Sequence, residues 1–138
     1  MKLRAECTPD YFYQQQKGTL CDWFDFRILS IAQGHLRAKV LVRPEMLAPN
    51  GFLHAASVIA IADSATGFAA LAHLPDGAKN MTTIELKSNF LGTVKEGEVS
   101  VVASANHLGR MTQVWDAEVF SPEGKKIALF RCTQMILW

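Results

Sequence analysis

Asp63 is the one charged side chain in the most apolar stretch of the chain, Ala55 to Leu71 (AASVIAIADSATGFAAL). An unpaired carboxylate buried in such surroundings costs several kcal/mol and tends to raise its own pKa instead of staying ionised. Asp63 therefore either has a partner or is kept for acid–base or nucleophilic work. Nine residues before it stands His54, within the run Asn50-Gly51-Phe52-Leu53-His54-Ala55-Ala56. On a helix that separation is two and a half turns and about 13 Å, which sets the two side chains on opposite sides and excludes a hydrogen-bonded pair within one chain. For both to serve one site, the helix start of one subunit must meet the middle of another subunit's helix about a two-fold axis. The free N–H groups at Ala55 and beyond, at the positive end of the helix dipole, could hold an oxyanion. A carboxylate opposite them, in a partly dry cleft, could attack a carbonyl carbon or activate a water. Together these groups point to acyl transfer.

The elements that must position them are legible in the hydropathy pattern. From His54 to His73 the apolar residues occupy all sides, and Asn50-Gly51 and Pro75-Asp76-Gly77 bracket the run. This reads as one long buried helix of about 30 Å. A membrane span is the rival, disfavoured by Asp63, Ser64 and Thr66 at the centre. Thr8 followed by Pro9 predicts a short helix over Thr8 to Gln16. Phe24 to Ile31 and Leu36 to Val42, alternating around Gln33-Gly34, read as a hairpin. Four further strands are expected over Thr82 to Leu91, Glu98 to His107, Arg110 to Phe120 and Lys125 to Leu137, joined by turns short enough for antiparallel neighbours. Ile84, Leu86 and Phe90 alternate with Glu85, Lys87 and Asn89, and Trp115, Ala117 and Val119 with Asp116 and Glu118, so one sheet face is apolar. A long apolar helix and a sheet with one apolar face bury each other when the sheet curls around the helix. The expected fold is α+β: an antiparallel five- to six-stranded sheet wrapped around one central helix, as a single domain over residues 1–138.

Composition excludes several functions. Lys plus Arg is 14 against 13 for Asp plus Glu, with no run of like charge, so no nucleic-acid or membrane-surface partner is expected. Cys7, Cys21 and Cys132 are odd in number and widely spaced, which fits free thiols in a reducing compartment. His35, His54, His73 and His107 lack metal-ligand spacing, so no metal is expected. The opening MKLRAECTPDYF has no apolar leader pattern, and a cytoplasmic location is the expectation.

The run Gly51, His54 and Asp63 resembles the hotdog acyl-CoA thioesterases of the phenylacetic-acid-degradation and 4-hydroxybenzoyl-CoA thioesterase type, whose motif is Gly-x-x-His-Gly-Gly with Asp or Glu nine residues after the His. The similarity continues through Thr83-Ile84-Glu85, Lys95-Glu96-Gly97-Glu98 and His107-Leu108-Gly109-Arg110. The resemblance implies a homodimer, with dimers pairing into tetramers, acting on an acyl-CoA without a resident cofactor. It makes Asp63 the catalytic carboxylate, the Ala55 amide the oxyanion donor, His54 the residue that orients the motif loop, and Thr83 a water-positioning hydroxyl. Asn50, Gly51 and Ala56 would border the thioester, and Gly109 and Arg110 the nucleotide end of coenzyme A. Hydrolysis then proceeds with Asp63 as general base or as nucleophile, and either route needs the carboxylate in the same place.

Two positions depart from that pattern. Ala55-Ala56 stands where relatives have Gly-Gly, which keeps the N–H groups but restricts close approach of a thioester. Ala48 stands six residues before the His, where relatives often place an Asn or Gln that touches the thioester carbonyl; Asn50 would need a loop shift to substitute. These departures keep open a non-catalytic acyl-CoA binder or sensor. A hydroxyacyl dehydratase is the other rival, and it resembles a His in an H-x-F-P-G loop whose Pro-Gly element is missing here.

Overall fold

The computed structural model describes residues 1–138. Thr8 caps the first helix as expected, its hydroxyl accepting the Tyr11 N–H at 3.1 Å, with Pro9 in the first turn of α1 (Pro9–Gln15). A second short helix, α2 (Leu20–Trp23), follows it. The strand expected from Phe24 begins only at Arg27, because Phe24 and Phe26 are both buried, edge to face with ring centroids 6.0 Å apart, and Asp25 between them takes a positive φ of 52°. Burial of two residues of the same parity about a left-handed residue is a corner, not an alternating strand.

The hairpin β1 (Arg27–Ala32) and β2 (His35–Leu41) turns at Gly34, whose φ of 71° needs a residue without Cβ strain. A 3₁₀ turn, Pro44–Met46, leads to the central helix α3 (Ala55–Ala72). Four strands follow, β3 (Asn80–Phe90), β4 (Glu98–Leu108), β5 (Thr112–Phe120) and β6 (Lys126–Leu137). All six form one antiparallel sheet in the order β1-β2-β4-β5-β6-β3.

One flank of α3 packs on β2, β4, β5 and β6. Ile61, Ala62, Ala65 and Ala69 are fully buried there against Leu36, Val40, Val99, Val101, Trp115 and Val119. Alanine at three of those helical positions lets the helix sit close to the sheet, where larger side chains would hold it off. The other flank, carrying Ala60, Asp63, Ser64, Gly67 and Phe68, is only half-buried. The helix is therefore apolar all round but covered on one side by its own sheet.

The apolar face of the sheet is left uncovered at one edge. Trp115, Ala117 and Val119 are buried as the period of two requires. Ile84, Leu86 and Phe90 on β3 are instead 53%, 40% and 47% exposed. This strand has a sheet neighbour on one side only and carries a bulge between Thr83 and Glu85. Leu86 and Phe90 pair with the buried Cys132 and Ala128, so they keep the parity of the core face and are exposed where that face runs on beyond its cover.

His73 ties the far end of α3 to the sheet. It is fully buried, with Nδ1 2.8 Å from the Ala69 carbonyl and Nε2 accepting the Gly34 N–H at 2.9 Å, while its own carbonyl accepts from the Gln113 carboxamide at 2.8 Å. That pattern fits the neutral ring, with Nδ1 as donor. Desolvation holds its pKa below the ordinary histidine value, against the Ala69 hydrogen bond, which pulls the other way. The unfolded chain therefore binds a proton that the native ring refuses. Urea titrations are expected to show stability falling as the pH drops below about 6.5, with a smaller dependence in His73→Leu. That variant should also lose about 2 kcal/mol or more at pH 8, because the Gly34 N–H is left without its acceptor.

Candidate active site on the central helix

The chain enters α3 through a small hairpin. Leu47 and Leu53 form a bridge, Ala48 N–H donates to the Phe52 carbonyl at 2.7 Å, and Gly51 N–H donates to the Ala48 carbonyl at 2.9 Å. Gly51 needs its freedom here, at φ 85°, and Asn50 closes the turn by accepting the Phe52 N–H at 3.2 Å. His54 is anchored through its N–H on the Met46 carbonyl at 3.0 Å and caps the helix through Nδ1, which accepts the Ala56 N–H at 2.8 Å. A ring accepting at Nδ1 carries its proton on the outward Nε2 in the neutral form. The cap thus engages the Ala56 N–H, while the Ala55 N–H meets no acceptor in the chain and points from an exposed helix start. An unsatisfied N–H at the positive end of an 18-residue helix is an anion-seeking group.

Asp63 lies two turns further along, half-buried on the flank of α3 that the sheet leaves uncovered. Its one side-chain partner is Thr83, whose Oγ1 lies 3.3 Å from Asp63 Oδ1 and which stands just before the β3 bulge. Desolvation raises the Asp63 pKa above the ordinary carboxylate range, and the Thr83 hydroxyl offsets only part of that. No cation pairs with it. A carboxyl raised by burial, beside an open helix flank, is a group that could take and return a proton.

Of the other expected site residues, the structure gathers only some. Gly51, His54, Ala55 and Ala56 form the helix entry, and Thr83 joins Asp63. Asn50 lies at the tip of the hairpin with its carboxamide oxygen already engaged, away from the Ala55 N–H. Gly109 and Arg110 make the β4–β5 turn at the opposite end of α3, where Gln113 meets the His73 carbonyl. Gly109 is required by space: a Cβ would come within 2.3 Å of His107 Nε2 and 2.8 Å of the Thr112 carbonyl. Arg110 lays its guanidinium over the Trp138 ring, 5.0 Å from the centroid. Phe68 stacks in an aromatic cluster with Phe12 and Phe26, at 4.9 Å and 5.7 Å. Thr66 turns its hydroxyl back onto the Ala62 and Asp63 carbonyls, as a helix-packing residue does.

Sequence reasoning missed Gln134. It is completely buried on β6, with Oε1 3.0 Å from Thr83 Oγ1. A signal was present: along β6 the buried positions Phe130, Cys132, Gln134 and Ile136 share one parity, and a carboxamide on the apolar parity of a strand is expected to have partners inside.

Residues 50–128 match the Thioesterase superfamily, and the chain belongs to that family. It is a hotdog thioesterase by fold and by family. Among its relatives is the 1,4-dihydroxy-2-naphthoyl-CoA hydrolase of Escherichia coli, 28% identical with 99% of this chain and 100% of that one covered. A Pseudomonas aeruginosa thioesterase, crystallised as a glutamine-to-alanine mutant, superposes with a TM-score of 0.93 at 26% identity, covering 99% of both chains. The Escherichia coli PaaI protein from the phenylacetic acid degradation operon shares the fold, with a TM-score of 0.82 at 20% identity over 92% of this chain and 90% of its own.

The desolvated Asp63 has a consequence for stability. A folded-state pKa raised above the unfolded value favours the fold below about pH 4 and loses that contribution as the pH rises through the folded value. Asp63→Asn is therefore expected to melt at a higher temperature than the wild type at pH 7. The difference should vanish near pH 3, as followed by circular dichroism.

Proposed function

We propose that this protein hydrolyses an acyl-CoA thioester to the free acid and coenzyme A, with an aryl or medium-chain acyl group as substrate. The observation that carries this reading is the half-buried Asp63 carboxyl, supported by a single hydroxyl on an open helix flank, in a family of thioesterases. In the reaction the substrate carbonyl oxygen accepts the Ala55 N–H, and Asp63 removes a proton from the attacking water, close to the Thr83 hydroxyl. Attack by Asp63 itself, through a mixed anhydride, is the second route to the same products.

Within one chain Ala55 and Asp63 are about 12 Å apart along the helix axis. The oxyanion donor and the attacking oxygen must each lie about 3 Å from one carbonyl group, so they come from two subunits. The uncovered flank of α3 and the exposed Ile84, Leu86, Phe90 and Leu91 of the β3 edge supply the apolar surface such a homodimer would bury. Two such dimers would complete a tetramer. Arg110, exposed at the β4–β5 turn, would meet a phosphate of coenzyme A through its guanidinium.

Two experiments test the reading. Thiol release from a panel of aryl and fatty acyl-CoAs should fall by about two orders of magnitude or more in Asp63→Asn, with the fold retained. Acyl-CoA binding without thiol release from any member would instead establish the non-catalytic reading that Ala48 favours, and hydration of an enoyl-CoA would establish the dehydratase. Ile84→Glu, which places a charge among the exposed apolar residues of β3, should give a monomer by sedimentation with turnover lost. A fully active monomer would remove the two-subunit site.

A further inference from the structure

Behind the contact between Asp63 and Thr83 runs a row of buried polar groups that the proposed reaction leaves unexplained. Thr83 Oγ1 lies 3.3 Å from Asp63 Oδ1 and 3.0 Å from one end of the Gln134 carboxamide. The other end of that carboxamide lies 3.3 Å from Cys132 Sγ, which lies 3.3 Å from Thr66 Oγ1. Gln134, Cys132 and Thr66 are fully buried. The row thus leaves α3 at Asp63, crosses β3 and β6, and returns to α3 one turn later.

A hydroxyl has one proton, and Thr83 has two neighbours that accept. Both contacts are made together in two arrangements. In the first, Asp63 is protonated and donates to Thr83, Thr83 donates to the Gln134 oxygen, the Gln134 amino group donates to Cys132 Sγ, and the thiol donates to Thr66. In the second, Asp63 is ionised and accepts from Thr83. The carboxamide is then turned end for end, so that its amino group donates to the Thr83 oxygen and its oxygen accepts the Cys132 S–H. The two ends of a carboxamide are nearly alike in shape, so the turn needs no repacking.

We propose that Gln134 is a positioning residue whose carboxamide orientation decides whether Thr83 gives its proton to Asp63, and so holds that carboxyl as base or as acid. Its use in turnover rests on the thioester-hydrolysis reading. There, Asp63 takes a proton from water as the new carbon–oxygen bond forms, and returns it to the coenzyme A sulfur as the carbon–sulfur bond breaks. The carboxamide turns once in each direction per cycle. Other titratable groups near Asp63 are Cys21 on α2, whose thiol donates to Ser64 at 3.3 Å, and Cys132 on β6, with Glu85 on β3 acting on Cys132. No basic group is among them, so nothing nearby replaces the Thr83 proton.

The test reads proton positions without turnover, so a chain that proves inactive on thioesters still decides it. The carbon-13 carboxyl resonance of Asp63 is titrated in the wild type, Gln134→Glu and Gln134→Met, each with and without Thr83→Val. Glutamate at 134 accepts but does not donate when ionised, and should draw off the Thr83 proton and raise the Asp63 midpoint by about a pH unit or more. Methionine, similar in length without the hydrogen bonds, should move it much less, and Thr83→Val should remove most of the glutamate effect. Equal shifts in the two variants, or a glutamate shift undiminished by Thr83→Val, would overturn the proposal. Should Gln134→Glu not fold, the wild type alone still decides: the Gln134 side-chain NH₂ signals should move with the Asp63 midpoint, and signals indifferent to that titration would sink the relay.

Discussion

A helix that is apolar on every side has to be covered on every side, and a single six-stranded sheet covers one flank of α3. The rest of the architecture follows from that mismatch. The covered flank is lined by alanines that bring the helix onto β2, β4, β5 and β6, and it forms the core. The uncovered flank holds the one carboxylate of the helix, which is desolvated enough to raise its pKa yet open enough to be reached. In the proposed homodimer a second subunit would cover that flank together with the exposed apolar residues of the unpaired β3 edge. An ionised Asp63 works against the monomer fold, and the proposed proton transfer gives that cost a use.

Two buried carboxamides do opposite work in this frame. Gln113 on β5 is held by the His73 carbonyl and the Trp115 indole N–H, at 2.8 Å and 2.9 Å, and its orientation is determined by a fixed acceptor on one side and a fixed donor on the other. It anchors the end of α3. Gln134 on β6 is bordered by a hydroxyl and a thiol, each able to donate or accept, so its orientation is left to the protonation of Asp63. Rigid partners make a structural network, and reversible partners make a responsive one.

The legible parts of the chain were those in which local pattern and final environment agree. The Thr8-Pro9 cap, the Gln33-Gly34 turn, the full length of α3 and the last three strands were all readable, because caps, left-handed turn glycines and a period of two are local requirements. The corner at Phe24 to Phe26 was not, since its two buried rings have the parity of a strand and only Asp25 breaks the chain direction. Nor was the exposure of β3: Ile84, Leu86 and Phe90 alternate like a core strand, and alternation alone does not say how far along a face its cover reaches. Gln134 was hidden for the complementary reason, as a polar residue in a position whose parity is buried.

The amino-acid sequence by itself determined that one carboxylate sits in an apolar helix, that a histidine begins that helix, and that nine residues of helix keep the two from meeting in one chain. These follow from residue types and the rise of a helix, and need no packing. Tertiary structure alone decided that the carboxylate lies on the uncovered flank, that Thr83 is its partner, and that Gln134 stands behind both. Those contacts join α3 to β3 and β6, elements brought together by the register of an antiparallel sheet and a bulge at Thr83. A one-residue slip of that register would turn each of these side chains to the other face.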